Sequence, residues 1–209
     1  WLAAEGCEAA VIVDLEGLRD RSLRYLSGHV GDALLFLFSA VRETLLIPWD
    51  LPLAQRLSCV DRLTAFERYE RSVLLAVTEV LTEHRVRRVE LSGKLPFPLV
   101  DRLKAALPQT EILCREDGID ALLSRHRERK DPAEVARLRE ACRITDELLR
   151  LVEERVRDSH VPSEAQVALL LEAEARARGA EGLSFETLAA GPQRSFGIHC
   201  FPAVTGGPF

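Results

Sequence analysis

The sequence predicts an α/β protein: a mixed or parallel sheet covered by helices, with two long helices after it. Three observations carry this. Short unbroken apolar runs, the mark of strands buried on both faces, recur through the first 125 or so residues. Segments with apolar residues at helical spacing lie between them. Beyond a charged run at residues 125–130 the pattern becomes purely helical over two long stretches.

Taken in order, residues 9–13 (AAVIV) read as a buried strand, and 34–38 and 44–47 as two more, close enough to be neighbours. Residues 67–84 place Val73, Leu74, Val77, Val80 and Leu81 on one helical face. Residues 86–91 return to strand. Pro98 opens a short helix carrying Leu99, Leu103 and Leu107, and 111–114 is another strand. The run RHRERK at 125–130 reads as a solvated linker. Asp131-Pro132-Ala133-Glu134 then combines an Asp cap, Pro in the first turn and Glu three residues after the cap. The helix it starts carries a stripe through Val135, Leu138, Cys142, Thr145, Leu149, Val152 and Val156. A second helix is expected from Pro162-Ser163-Glu164-Ala165-Gln166, with Val167, Leu170, Leu171 and Ala177 as its stripe and Gly179 as its stop. Residues 183–209 form a strand-like tail punctuated by Gly and Pro.

Composition excludes several classes of function. A hydrophobic fraction of 47% with 29% charged residues belongs to a folded globular chain. With 28 basic and 33 acidic residues interspersed, there is no cationic surface of the kind nucleic acid requires. The apolar stretch at residues 33–38 is far too short to cross a bilayer. Five scattered cysteines without paired spacing fit free thiols in a reducing cytoplasm. The sequence begins at Trp1 and holds no Met, so it shows no native start. Either its ends are cut, or modified residues such as selenomethionine have been left out of it.

Chemistry-bearing motifs are few. There is no Gly-rich phosphate loop, no G-x-S-x-G, no H-E-x-x-H and no CxxC pair. His84, His126 and His160 read as surface residues. His199 differs, lying in Gly197-Ile198-His199-Cys200-Phe201-Pro202 after the Ala190-Gly191-Pro192 turn, where small residues would let a substrate backbone approach. On residues alone it is equally a satisfied core histidine or a functional one. A Cys200–His199 dyad is rejected, because consecutive strand residues point to opposite faces. Phe185 and Phe196 read as core aromatics. Arg194 reads as a surface residue, or as one facing a substrate carboxylate.

Three segments, in order, resemble one family. Arg24-Tyr25-Leu26-Ser27-Gly28 is similar to an RYLSG-type signature, departing at Ser22, where members commonly carry Asn. Arg129-Lys130-Asp131-Pro132-Ala133-Glu134, leading to Leu138-Arg139-Glu140-Ala141, resembles an interdomain helix entry. Gly179-Ala180-Glu181-Gly182-Leu183-Ser184-Phe185-Glu186-Thr187, followed by Gly191, His199 and Pro202, resembles a strand pair of the catalytic domain. Together they resemble the creatinase/aminopeptidase P/prolidase family, two-domain metallopeptidases of the pita-bread fold. The resemblance implies a creatinase-like N-terminal domain at 1–125, a linker at 126–131 and an incomplete pita-bread catalytic domain at 132–209. Tyr25 and Gly28 are expected as strand-to-loop structure.

The resemblance also implies a function. Members hold two divalent metal ions (Mn, Co or Zn) with two Asp, one His and two Glu, all downstream of the position matching His199. Only ten residues follow it here, none of them Asp, Glu or His, so the chain is expected to lack the metal site and to be inactive alone. In the full-length protein the metals would polarise the scissile carbonyl and acidify a bound water, and a carboxylate would shuttle the proton. His199 would donate a hydrogen bond to substrate or oxyanion. The implied activity is an Xaa-Pro peptidase of aminopeptidase P or prolidase type, acting on short proline-containing peptides as a cytoplasmic homodimer. No nucleic-acid or membrane partner is expected. Two alternatives remain: a metal-independent creatinase-like C–N hydrolase, and a non-enzymatic peptide- or protein-binding relative.

Overall fold

A computed structural model describes residues 1–15, 19–158, 160 and 163–209. They fall into two compact units, Trp1–Arg129 and Lys130–Phe209.

The first unit is built on a six-stranded mixed sheet of order β4-β3-β2-β1-β5-β6. Its strands are β1 (Ala9–Asp14), β2 (Ala33–Phe38), β3 (Glu43–Pro48), β4 (Arg62–Leu63), β5 (Arg88–Leu91) and β6 (Glu111–Leu113). β1, β2 and β3 form an antiparallel meander, with Val11 opposite Phe36 and Phe36 opposite Leu45. β5 lies parallel to β1, β6 to β5, and β4 to β3. Both faces of the sheet are covered, which explains the continuous apolar runs. One face buries Val11, Phe36, Ile47 and Val89 against Val77, Val80 and Leu81 of helix α3 (Val73–Glu83) and Leu103 of α4 (Phe97–Ala106). The other buries Ile12, Leu35 and Leu46 against Leu23 of α1 (Arg21–Ser27), Ala54 of α2 (Leu51–Leu57) and Ile119 and Leu123 of α5 (Ile119–Glu128).

Several expectations change here. The segment carrying Tyr25 is the helix α1, not a strand-to-loop passage. Asp20 caps it by accepting from the amides of Ser22 and Leu23 at 2.6 and 2.8 Å, and Gly28 closes it in the left-handed conformation at φ 72°. Helix α3 starts at Val73 rather than at 67. Phe66–Tyr69 is a 3-10 turn, Glu70 and Arg71 follow at positive φ, and Ser72 begins the helix by capping Leu75. Phe66 sets this break, buried beneath Trp49 with ring centroids 3.8 Å apart. The charged run is mostly exposed, but it is helical through Glu128, because Ile119 and Leu123 anchor α5 to the sheet and its polar end continues the same helix. His84 is half-buried and stacks on Phe38 at 4.1 Å. All five cysteines are free thiols.

The second unit begins with α6 (Pro132–Arg157), where Asp131 accepts from the Glu134 amide and Glu134 from the Asp131 amide, both at 2.8 Å. Ser163 caps α7 (Glu164–Ala177), and Gly179 follows its end at φ 90°. Pro162 lies outside the described residues. α6 packs on α7 through Ile144 and Leu148, against Ala175 and Leu171. The expected stripe of α6 is therefore displaced: Leu138, Cys142 and Leu149 stand exposed, while the contact face runs one position away. Ala175, not Ala177, is the buried alanine of α7.

The tail is not a strand pair. Among the described residues its ladder is reduced to one bridge, between Ser163 and Pro208. A strand exists only where a partner supplies hydrogen bonds, and here the tail bends back to the start of α7 instead. The first-turn amides of Glu164 and Ala165 donate to the carbonyls of Gly207 and Thr205, both at 3.0 Å.

Candidate functional site

His199 stands in a bend between Gly197 and Cys200 and is exposed, its imidazole unpartnered by any described residue. The satisfied-core reading of this histidine is thereby removed. Its neighbours are open as well: Phe196, Ile198 and Phe201 are more than nine-tenths exposed, and Phe185 is 75% exposed. The aromatics Phe185 and Phe196, expected in the core, are on the surface because the tail folds around a polar centre instead. The Cys200 thiol turns to the Ala203 carbonyl at 3.4 Å, away from any dyad.

That polar centre is Glu164, which is 1% exposed. One carboxylate oxygen accepts from the Gly191 amide at 2.8 Å. The other accepts from Arg194 Nη1 at 3.0 Å and from the Thr205 amide at 2.9 Å and hydroxyl at 2.5 Å. The Thr205 hydroxyl, then the Gly191 amide, hold its pKa below the usual carboxylate value. Arg194 also donates to the Pro202 carbonyl, so it neither faces a substrate carboxylate nor dangles at the surface. Gly191 is required for close approach, since a Cβ there would lie 2.0 Å from the Pro208 carbonyl oxygen. The glycine thus admits the tail's own backbone. Sequence reasoning saw Glu164 only as a helix-start residue. A Glu immediately after a Ser cap gives no sign that a chain 27 to 41 residues downstream wraps it.

In the first unit, polar groups gather beyond the carboxyl ends of β1, β5 and β6, where open α/β sheets place ligands. They are satisfied mainly by one another. Lys94 pairs with Asp20, whose side chain is wholly buried. Ser92 Oγ donates to Asp120 at 3.0 Å, and the Gly93 amide donates to the same carboxylate at 2.7 Å. Arg115 joins buried Glu90 to Glu5, with contacts of 2.9 and 2.8 Å. The exceptions are His29 and Asp14. His29 is 1% exposed with neither ring nitrogen hydrogen-bonded, and burial pushes its pKa down despite Asp50, Asp32 and Asp14 nearby. Burial raises the Asp14 carboxyl for the same reason.

Among the described residues, no group of three or more His, Cys, Asp or Glu could hold a metal ion. His199 has no carboxylate beside it and Glu164 is saturated by protein donors, so these residues do not fit the implied pair of metals. No helix among the described residues is long and apolar enough to cross a membrane.

No family model and no curated protein matches the chain. Solved structures do. The prolidase from Pyrococcus horikoshii OT3 matches with a TM-score of 0.79 at 18% identity, over 100% of this chain and 55% of that one. The Xaa-Pro dipeptidase from Bacillus anthracis gives 0.76 at 17%, over 100% of this chain and 54% of its own. The X-Pro aminopeptidase from Thermotoga maritima MSB8 gives 0.71 at 21%, over 88% and 50%. At such identities the likeness is one of fold, and in fold the chain is a mixed α/β structure of the prolidase type. It spans about half the length of these proteins.

Proposed function

We propose that this chain is the N-terminal part of an Xaa-Pro peptidase of the creatinase/aminopeptidase P/prolidase family. The single observation that supports this is the match of the entire chain to a prolidase structure at a TM-score of 0.79. The domain reading goes with it: a creatinase-like domain over 1–125 and the opening of a catalytic domain from 132. The rest of the catalytic domain would sit on the apolar side chains that stand open around Phe185, Phe196, Ile198 and Phe201. Covering them would remove these large apolar side chains from water, which favours a further domain packed there.

In this reading His199 hydrogen-bonds the substrate carbonyl and the oxyanion that develops from it, a task for an exposed imidazole with no internal partner. Two divalent metal ions (Mn, Co or Zn) enter the proposal only through ligands outside these residues. Short proline-containing peptides as substrates, a homodimeric assembly and a cytoplasmic location belong to the same proposal.

The experiment is a kinetic comparison on Xaa-Pro peptides of this 209-residue chain and a chain extended to the full length of the fold. The short chain is expected to be inactive and the extended one active. In the extended chain, His199→Ala should lower kcat by about 10²–10³-fold with KM little changed, the loss for one oxyanion donor. Turnover by the short chain, or an unaltered kcat in the variant, overturns the assignment.

A further inference from the structure

On the α1/α5 face of the sheet the covering layer is incomplete. α1 has seven residues and α5 ten, and the Leu37 end of β2 is only partly buried beside them. A trough of about 530 Å³ opens there, within the range of roughly 300–1,000 Å³ typical of small-molecule sites. Its floor is an extension of the core itself: Leu26, Leu37, Ile119, Leu122 and Leu123.

The rim is of different chemistry. Arg42 stands on the β2–β3 turn and His126 near the end of α5, both exposed and neither with an acidic partner among the described residues. The Tyr25 phenol, 46% exposed, and Ser39 stand beside them, and Trp1, Leu2 and Ala3 also line the trough. No Asp or Glu lines the trough. Arg42 is held at φ 53°, in the left-handed conformation. Arg42 thus lines the mouth of an apolar trough from this turn.

We propose that this trough binds a small amphipathic anion, an apolar chain or ring ending in a carboxylate. The body lies along the leucine floor, where burial supplies the affinity. The head meets Arg42, where a charge-assisted hydrogen bond fixes its direction, with the His126 imidazole beside it as a hydrogen-bonding group. A neutral ligand of equal length gains only the first contribution, and a cation is repelled by the rim. The site is independent of the peptidase reading, and its occupancy can be measured on the chain without any turnover.

The test is calorimetric titration of the 209-residue chain with decanoate below its micelle-forming concentration, beside decanol and decyltrimethylammonium. Saturable one-to-one binding of decanoate is expected, with decanol weaker by roughly tenfold. The double variant Arg42→Asn, His126→Gln should reduce decanoate to the decanol level with an unchanged melting temperature, since Asn tolerates the left-handed turn. Arg42→Lys should retain binding. Any of four results overturns the proposal: no saturable binding, equal affinity for decanol, a double variant that binds as tightly as the parent, or binding to anionic vesicles in place of monomeric decanoate.

Discussion

His29 shows how one side chain sets a pH limit on the first unit. It is buried and neutral with both nitrogens unpaired, and burial lowers its pKa from the ordinary value near 6.5. In the unfolded chain it takes up a proton as the pH falls through about 6.5, while the folded chain resists until the pH is lower. Stability is therefore lost progressively as acid is added below that value. His29→Leu should flatten the melting-temperature profile between about pH 6.5 and 5, measured by circular dichroism. An equally steep profile in the variant would assign the acid sensitivity elsewhere. Glu164 acts in the same direction at lower pH. Its folded-state pKa is depressed, so its contribution is complete above the usual carboxylate value of 4.5 and disappears as the pH drops through the folded one. Neither residue was legible as special in the sequence. Burial of a polar group depends on what other segments bring to it, and spacing carries no record of that.

At the scale of elements, legibility followed the number of faces each element buries. β1, β2 and β3 bury residues on both sides, so each contains a short apolar run and its position could be read directly. The start of α6 was equally plain, because its cap is a local bargain between Asp131 and Glu134. α1 and α2, seven residues each, are too short to show a period. α5 was hidden inside a charged run because only its first turns touch the sheet. The tail misled for a further reason: Gly, Pro and apolar residues in alternation suit a strand, but the shape here is imposed by Glu164. Gly191 tests that account. Gly191→Ala drives a methyl into the Pro208 carbonyl and should destabilise the second unit by about 1–3 kcal/mol. Hydrogen exchange at the Gly191 and Thr205 amides should rise with it. Protection equal to that of the parent would mean that the clasp does not hold the tail.

For the molecule as a whole, the two units have separate cores, and they differ in completeness. The first buries a large apolar cluster on each face of a six-stranded sheet, with one trough left open on the α1/α5 face. The second rests on small clusters around Leu148 and Val167, while large apolar side chains stay open. Residues 1–129 expressed alone are therefore expected to fold, with a cooperative thermal transition and dispersed amide spectra. Residues 130–209 alone should bind a hydrophobic dye and melt without a sharp transition. A first unit that collapses when separated would mean its core is not self-sufficient. The order of motifs along the chain carried the fold as far as its type, since the whole length matches prolidase structures. His199 was legible only as a position: its exposure and lack of an internal partner depend on how the tail folds around Glu164, which spacing does not record.

The sheet of the first unit ends in β4 on one side and β6 on the other, strands of two and three residues. Each carries a charged, exposed side chain at its start, Arg62 and Glu111. So little free edge offers almost no template for a foreign strand, and charge at the edge discourages the approach further. The unit is thus guarded against the commonest route by which β-rich chains stick to one another. Growth of this sheet into neighbouring molecules is thereby disfavoured at both of its edge strands.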